Sequence, residues 1–352
     1  MPRLGLLVPG DLATATGGYL YDRRMAEGLR RLGWAVRVYP LDASFPEPSA
    51  AALAEAERLL AEIPAGELVL IDGLALGGMP RLAERHAERL RLVALIHHPL
   101  AEETGLGKAR AEALRTAERH ALAAVSRVIV TSPFTARLLA QYGVSRSRIA
   151  VVEPGTDPAP LAQGSPGPGL ALLSVAALTP RKGHAELLAA LARLRDRDWR
   201  LTLVGSLERS PPTADAIRRQ IQALALDDRV DLAGEVSAAR LAGHYRGSDL
   251  FVLATHFEGY GMALAEALAR GLPVVSTNAG AVPETVPAGA GILVPPADVP
   301  ALSAALAQVM DEPGRHAALA AGARRAAARL PTWERAARRM AEVLASASGE
   351  DR

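Results

Sequence analysis

Twelve short apolar runs punctuate the chain, with helical stretches between them. The first six are LGLLV (4–8), AVRVY (35–39), LVLI (68–71), LVALI (92–96), RVIVT (127–131) and IAVV (149–152). The second six are LALLSVA (170–176), LTLVG (201–205), RVDLA (229–233), LFVLA (250–254), PVVST (273–277) and GILV (291–294). Runs this short and continuous suit strands buried on both faces, as in parallel sheets. The stretches between them carry apolar residues at helical spacing, most plainly in AALAEAERLLAEI (51–63). Such alternation predicts an α/β chain.

The alternation stops once, at DPAPLAQGSPGPG (157–169), and then restarts. Its proline and glycine content reads as an interdomain linker. The halves echo one another. Leu4 and Leu170 each open a strand–loop–helix–strand unit, and a tryptophan, Trp34 or Trp199, lies close to each second strand. Two Rossmann-like doubly wound domains facing a cleft follow, over residues 1–160 and 161–331. In such sheets ligands sit at the carboxyl ends of the strands, at a switch point. The end of the chain, TWERAARRMAEVLASA (332–347), is helical only.

Composition removes several function classes. At 352 residues the chain favours two domains over one, and 49% hydrophobic content is ample for both cores. Forty basic residues face 38 acidic ones. Residues 1–160 hold 19 basic and 18 acidic, and the remainder 21 and 20, so neither half is a basic arm for nucleic acid. There is no cysteine, which excludes disulfides, thiolate metal sites and cysteine nucleophiles. The apolar run in MPRLGLLVPGD is too short for a signal-peptide core, and no run suits a membrane span. A cytoplasmic protein is the expectation. Arginines in YDRRMAEGLRRLG and RLAERHAERLR leave peripheral contact with the inner membrane face open, against the plainer reading of solvated helix faces.

Three strand-end loops carry chemistry. After the first strand, Gly17 and Gly18 stand at a helix start, where a ligand can approach the backbone and negative charge is favoured. The pattern is not GxGxxG, and no acid ends the second strand, so a nicotinamide dinucleotide is poorly supported. After LLSVAAL comes TPRKGHAELLAAL. Arg181 and Lys182, one of only two lysines, precede a helix N-terminus that disfavours cations, and a diphosphate would offset that cost. The third loop is HFEGYGMALAEALARGLPVVSTN (256–278). Gly259, Tyr260, Gly261 and Met262 offer a run of backbone amides, and Glu258 and Glu266 flank them with seven residues between. Glu266 suits a vicinal diol such as a ribose, and Glu258 suits sugar hydroxyls.

FEGYGMALAEALARGLPVV resembles the E-x7-E segment of retaining glycosyltransferases of the GT-B fold, most closely glycosyltransferase family 4. TGGYLYDRRMAEGLRRLG, VVEPGTD (151–157), LTPRKGHAELLAAL and STNAGAVPETV (276–286) extend the resemblance over nearly the whole chain. E-x7-E with PRKG is specific to the family; the Gly-Gly loop is not. The resemblance implies that Arg181 and Lys182 bind the donor diphosphate and Glu266 the ribose. It implies that Glu258 and the amides of Tyr260, Gly261 and Met262 hold the donor sugar, that Gly18 lines the phosphate, and that Glu235 and Val236 lie against the base. It also implies a histidine near the reacting carbon; LIHHPL offers His97 and His98. Finally it implies that the segment 332–352 returns to the first domain.

The chain departs from the family's Gly-Arg-Leu after the seventh strand, having Ala176-Ala177-Leu178 there. Arg181 would then compensate. The implied activity is metal-independent hexosyl transfer from a nucleoside-diphosphate sugar, with retained configuration, to an acceptor that is a glycan, a lipid-linked group or a small molecule. No cofactor is implied. The alternatives are a nucleotide-sugar epimerase, which has no reason for the E-x7-E block, and a non-catalytic two-lobed sugar-binding protein, which would need export.

Overall fold

The computed structural model describes residues 1–14 and 16–348. Two compact units emerge: Met1–Gly155 joined by the chain from Pro331 onward, and Thr156–Leu330.

In the first unit the order is β1 (Arg3–Pro9), α1 (Gly17–Arg31), β2 (Ala35–Leu41), α2 (Ala50–Glu62), β3 (Leu68–Asp72), α3 (Gly73–Gly78), α4 (Pro80–His86), β4 (Arg91–Ile96), α5 (Lys108–Ala123), β5 (Arg127–Val130), α6 (Pro133–Leu138) and β6 (Ile149–Val151). The six strands are parallel, in the order β2-β1-β3-β4-β5-β6. β3 is buried along its length, and β4 from Leu92 onward, as expected of parallel strands with helices on both sheet faces. The order reverses between β1 and β3, so the switch point lies where α1, the end of β3 and the end of β4 come together. Helix α1 is amphipathic. It buries Tyr21, Met25, Ala26 and Leu29, and Asp22 goes in with them.

The second unit continues with β7 (Leu170–Val175), α7 (His184–Ala192), β8 (Trp199–Val204), α8 (Pro211–Ala223), β9 (Val230–Gly234), α9 (Ala238–Arg246), β10 (Leu250–Leu253), α10 (Met262–Ala269), β11 (Val274–Thr277), α11 (Val282–Thr285), β12 (Gly291–Val294), α12 (Val299–Asp311) and α13 (Pro313–Ala327). Its sheet order, β12-β11-β10-β7-β8-β9, is the doubly wound dinucleotide-type order read from the other edge. The switch point falls between β7 and β10. Trp199 sits at the start of β8 opposite Leu170, fully buried, and its indole N–H donates to Leu194 O at 2.8 Å. That pairing starts the strand two residues before the expected LTLVG.

Helix α14 (Trp333–Ser348) belongs to the first unit and packs along α1. The last four residues of the 332–352 segment lie outside the described residues.

The linker needs correction. The units divide after Gly155, not after 160, and residues 157–169 are not a free connector. Ala162 N–H donates to Arg270 O at 2.8 Å, and Gln163 N–H donates to Arg246 O at 2.7 Å. The Asp249 carboxylate accepts from Ser165 N and from Ala171 N at 3.2 and 2.8 Å. Proline and glycine shape this segment into an irregular strap, and the amides of Ala162, Gln163, Gly164 and Ser165 are satisfied by the second unit. Among the described residues no helix is long and apolar enough to cross a membrane.

Candidate active site

Two clusters stand at the two switch points. In the second unit, the loop after β7 makes a 3-10 turn, Pro180–Lys182, and meets the loop after β10. Gly183 makes that meeting possible. It has φ +65°, caps α7, and passes so close that a Cβ would lie 1.8 Å from Ala254 O. Any side chain there pushes the loops apart. His256 N–H donates to Arg181 O at 2.7 Å, and the Thr255 hydroxyl lies 3.0 Å from the same oxygen.

This brings the two cations onto Glu258. Lys182 Nζ donates to Glu258 Oε1 at 2.6 Å. Arg181 Nη1 donates to Phe257 O at 2.8 Å and lies 3.8 Å from Glu258 Oε2. Glu258 is buried, which by itself raises a carboxyl's pKa. Together the charges of Lys182 and Arg181 and the hydrogen bonds from Lys182 and Thr255 outweigh that and hold it below the usual carboxylate range. The sheet thus presents a buried anion clasped by two cations at the mouth of the switch point.

Helix α10 begins just beyond. Gly261, at φ +91°, caps it, and Met262 is its first residue. First-turn amides have no helical acceptor, which suits them to an anion or a hydroxyl. Glu266 lies one turn in and accepts from Tyr245 Oη at 3.0 Å. Burial pushes its carboxyl up, with Asp157 adding to the effect, against the Tyr245 hydrogen bond and Arg270. Arg270 stacks 4.2 Å over the Tyr245 ring.

The first unit gathers a different cluster. His97, just past β4, lies with Nε2 3.1 Å from Asp22 Oδ1 of α1 and 3.3 Å from Asp72 Oδ2 at the end of β3. Asp22 and Asp72 are 1% and 3% exposed. Burial pulls the His97 pKa down, but the two carboxylates win and push it up to about 10. Burial also raises Asp22, against the pull of His97. Gly18 packs against the ring: a Cβ there would stand 3.4 Å from His97 Cδ2, in ordinary contact. Tyr21 meets the ring edge-on at 5.3 Å. His98 turns elsewhere, with Nε2 3.3 Å from Glu103 Oε2. Glu118 anchors the turn that follows, accepting from Leu100 N–H at 2.6 Å and Ala101 N–H at 3.2 Å. Burial pushes that carboxyl up to about 7.

Residues 162–326 match the model of the Glycosyl transferases group 1 family, and residues 46–160 match that of Glycosyltransferase Family 4. The MMP alpha-(1->4)-mannosyltransferase of Mycolicibacterium hassiacum is 30% identical over 322 residues, covering 87% of this chain and 76% of that one. The chain belongs to the family 4 glycosyltransferases. Solved structures agree on the GT-B fold. Sucrose-phosphate synthase from Thermosynechococcus elongatus superposes with a TM-score of 0.85 at 22% identity, covering 100% of both chains. Anabaena HepE, solved with UDP and glucose, gives 0.77 at 20% identity, covering 98% of this chain and 100% of that one.

Within this glycosyltransferase the structure brings Arg181, Lys182 and Glu258 together, places Gly259, Tyr260, Gly261 and Met262 on the adjoining loop and helix start, sets Gly18 against the His97 ring, and leaves Gly17 exposed as the first residue of α1. Glu235 is exposed just beyond β9, and Val236 is half-buried against the core near Tyr245. Sequence reasoning missed Asp22, Asp72 and Tyr245. Asp72 had a signal. It closes an otherwise apolar strand at the carboxyl end, where α/β sheets bind ligands. Asp22 had one too, being the acid on α1's apolar face.

Proposed function

We propose that this glycosyltransferase transfers a sugar, with retention, from a nucleoside-diphosphate sugar to an acceptor hydroxyl. The observation that carries the reading is the convergence of Arg181, Lys182 and Glu258 at the switch point of the second sheet. A diphosphate is the ligand that two adjacent cations and two helix N-termini are suited to hold. Lys182 would exchange Glu258 for a phosphate oxygen, and the freed carboxylate would take sugar hydroxyls. Glu266 would grip the ribose diol, with Glu235 and Val236 by the base. The first unit would bind the acceptor.

Charge develops on the departing diphosphate, and Arg181, Lys182 and the amides of α10 stabilise it there. They take the part a divalent ion would otherwise take. The leaving phosphate then accepts the acceptor's proton on the face it vacates, which retains configuration. Glu258 binds and does not attack, so no paired-carboxylate double displacement is required. An epimerase gives no use for both Glu258 and Glu266, and the match to glycosyltransferases along both units favours transfer.

Proton NMR of the sugar released from UDP-glucose or GDP-mannose, read before mutarotation, tests the stereochemistry. An α product from the α-linked donor is expected, and a β product overturns retention. A second test concerns Glu266. Calorimetry of UDP and 2′-deoxy-UDP against wild type and Glu266→Ala should show a coupling of about 0.5–3 kcal/mol, because both changes remove one interaction. Additive losses would place Glu266 away from the ribose.

A further inference from the structure

Two buried carboxylates from different elements converge on one ring nitrogen of His97. Asp72 is itself fixed, its other oxygen accepting Leu74 N–H at 2.8 Å as the cap of α3. The ring is fixed from its other side too. Tyr21 stands edge-on to it, the Tyr21 hydroxyl donates to Val152 O at 2.9 Å, and the Thr131 hydroxyl lies 3.3 Å from His97 O. Among the described residues Nδ1 has no hydrogen bond, and the side chain is 21% exposed.

We propose that Asp22 and Asp72 are positioning residues, gripping the Nε2–H of His97 so that its Nδ1–H is left as a fixed donor for a hydroxyl of the bound substrate. The assignment rests on the glycosyl-transfer reading for its substrate, though not for its geometry. With Nε2–H held by acceptors, a proton on Nδ1 requires the imidazolium, and two carboxylates supply the charge that keeps it. The titratable groups facing the ring are Asp22 and Tyr21 from α1 and Asp72 from the end of β3. Tyr21 stays protonated, since burial raises its hydroxyl well above its ordinary value. One ligand atom from each of Asp22, Asp72 and His97 lies within 4.8 Å of the others, a spacing that would also fit a divalent ion. The hydrogen-bond spacing and the imidazolium favour the proton.

The test uses the full chain, labelled with carbon-13 histidine, as wild type, Asp22→Asn and Asp72→Asn. Wild-type His97 should remain an imidazolium from about pH 6 to about pH 9, and each variant should lose the proton within that window. Hydrolysis of UDP-glucose and GDP-mannose is followed over the same range. Because the variant's folded pKa is lowered, its charged form persists at low pH and is lost as pH rises. Turnover should therefore approach wild type near pH 6 and fall about tenfold per unit above the new midpoint, while wild type stays level. A His97 titration unmoved by either variant overturns the proposal, as does a uniform loss of turnover at every pH. Chelation that abolishes wild-type turnover, with Mn²⁺ or Zn²⁺ restoring it, overturns it in favour of a metal site. If wild type hydrolyses neither donor, the substrate reading suffers instead, and the ring titration still decides the carboxylate grip.

Discussion

Lys182→Ala is expected to lower donor turnover by about 10²- to 10³-fold, the equivalent of roughly 2–4 kcal/mol of transition-state stabilisation. Lys182 is the closest cation to Glu258, at 2.6 Å, and its side chain is 17% exposed. It is placed to meet charge that water cannot screen. The substitution has a second consequence. Burial alone raises the Glu258 carboxyl, and Lys182 is the largest influence opposing it, so the variant's Glu258 should titrate higher. A drop in activity could then reflect a disturbed loop. Two comparisons separate the causes. Lys182→Arg keeps the charge without the compact ammonium and should recover part of the turnover. Glu258→Gln removes the anion while leaving Lys182 for the phosphate, so UDP affinity should hold while turnover falls. Thermal unfolding checks that each variant is folded. A folded Lys182→Ala protein with wild-type turnover would end the phosphate assignment.

Much of the fold could be read from the chain because its strands are buried on both faces. A run such as LVALI has no competing reading as a surface helix, and six such runs per half leave few architectures. The linker was harder. Proline and glycine at 157–169 signal irregular backbone, and only the partners of that backbone, Arg246, Asp249 and Arg270, tell a strap from a free hinge. Those partners are far off in sequence. The site divides the same way. Arg181, Lys182, Glu258 and Glu266 sit in two local motifs whose spacing carries their chemistry. The His97 cluster draws on α1, β3 and β4, and only the sheet order β2-β1-β3-β4 brings those elements to one switch point. His97 and His98 are adjacent in sequence, and no local pattern distinguishes them. Tertiary packing does, giving one a pair of buried aspartates and the other a partly exposed glutamate.

Trp333→Ala should destabilise the first unit by about 3–5 kcal/mol, the usual cost of truncating a buried tryptophan. Trp333 opens α14 and is 7% exposed. Its ring packs 6.2 Å from Tyr21, with the Arg24 guanidinium 5.5 Å over its face. The chain leaving β6 passes close beneath: a Cβ on Gly155 would lie 2.1 Å from Trp333 N. The helix returning from the end of the chain therefore completes the core beside α1, and its first residue is the anchor. In calorimetry the transition of the first unit should drop by on the order of 10 °C. The second unit holds none of these contacts, so UDP binding should be unchanged at temperatures where both proteins are folded. Trp333→Phe keeps an aromatic ring against Tyr21 and should cost less. The chain of contacts runs further, since Tyr21 backs the His97 ring. Trp333→Ala should thus also broaden the His97 resonances while leaving Glu258 and Lys182 undisturbed. An unshifted transition would mean that α14 lies on the first unit without holding it together.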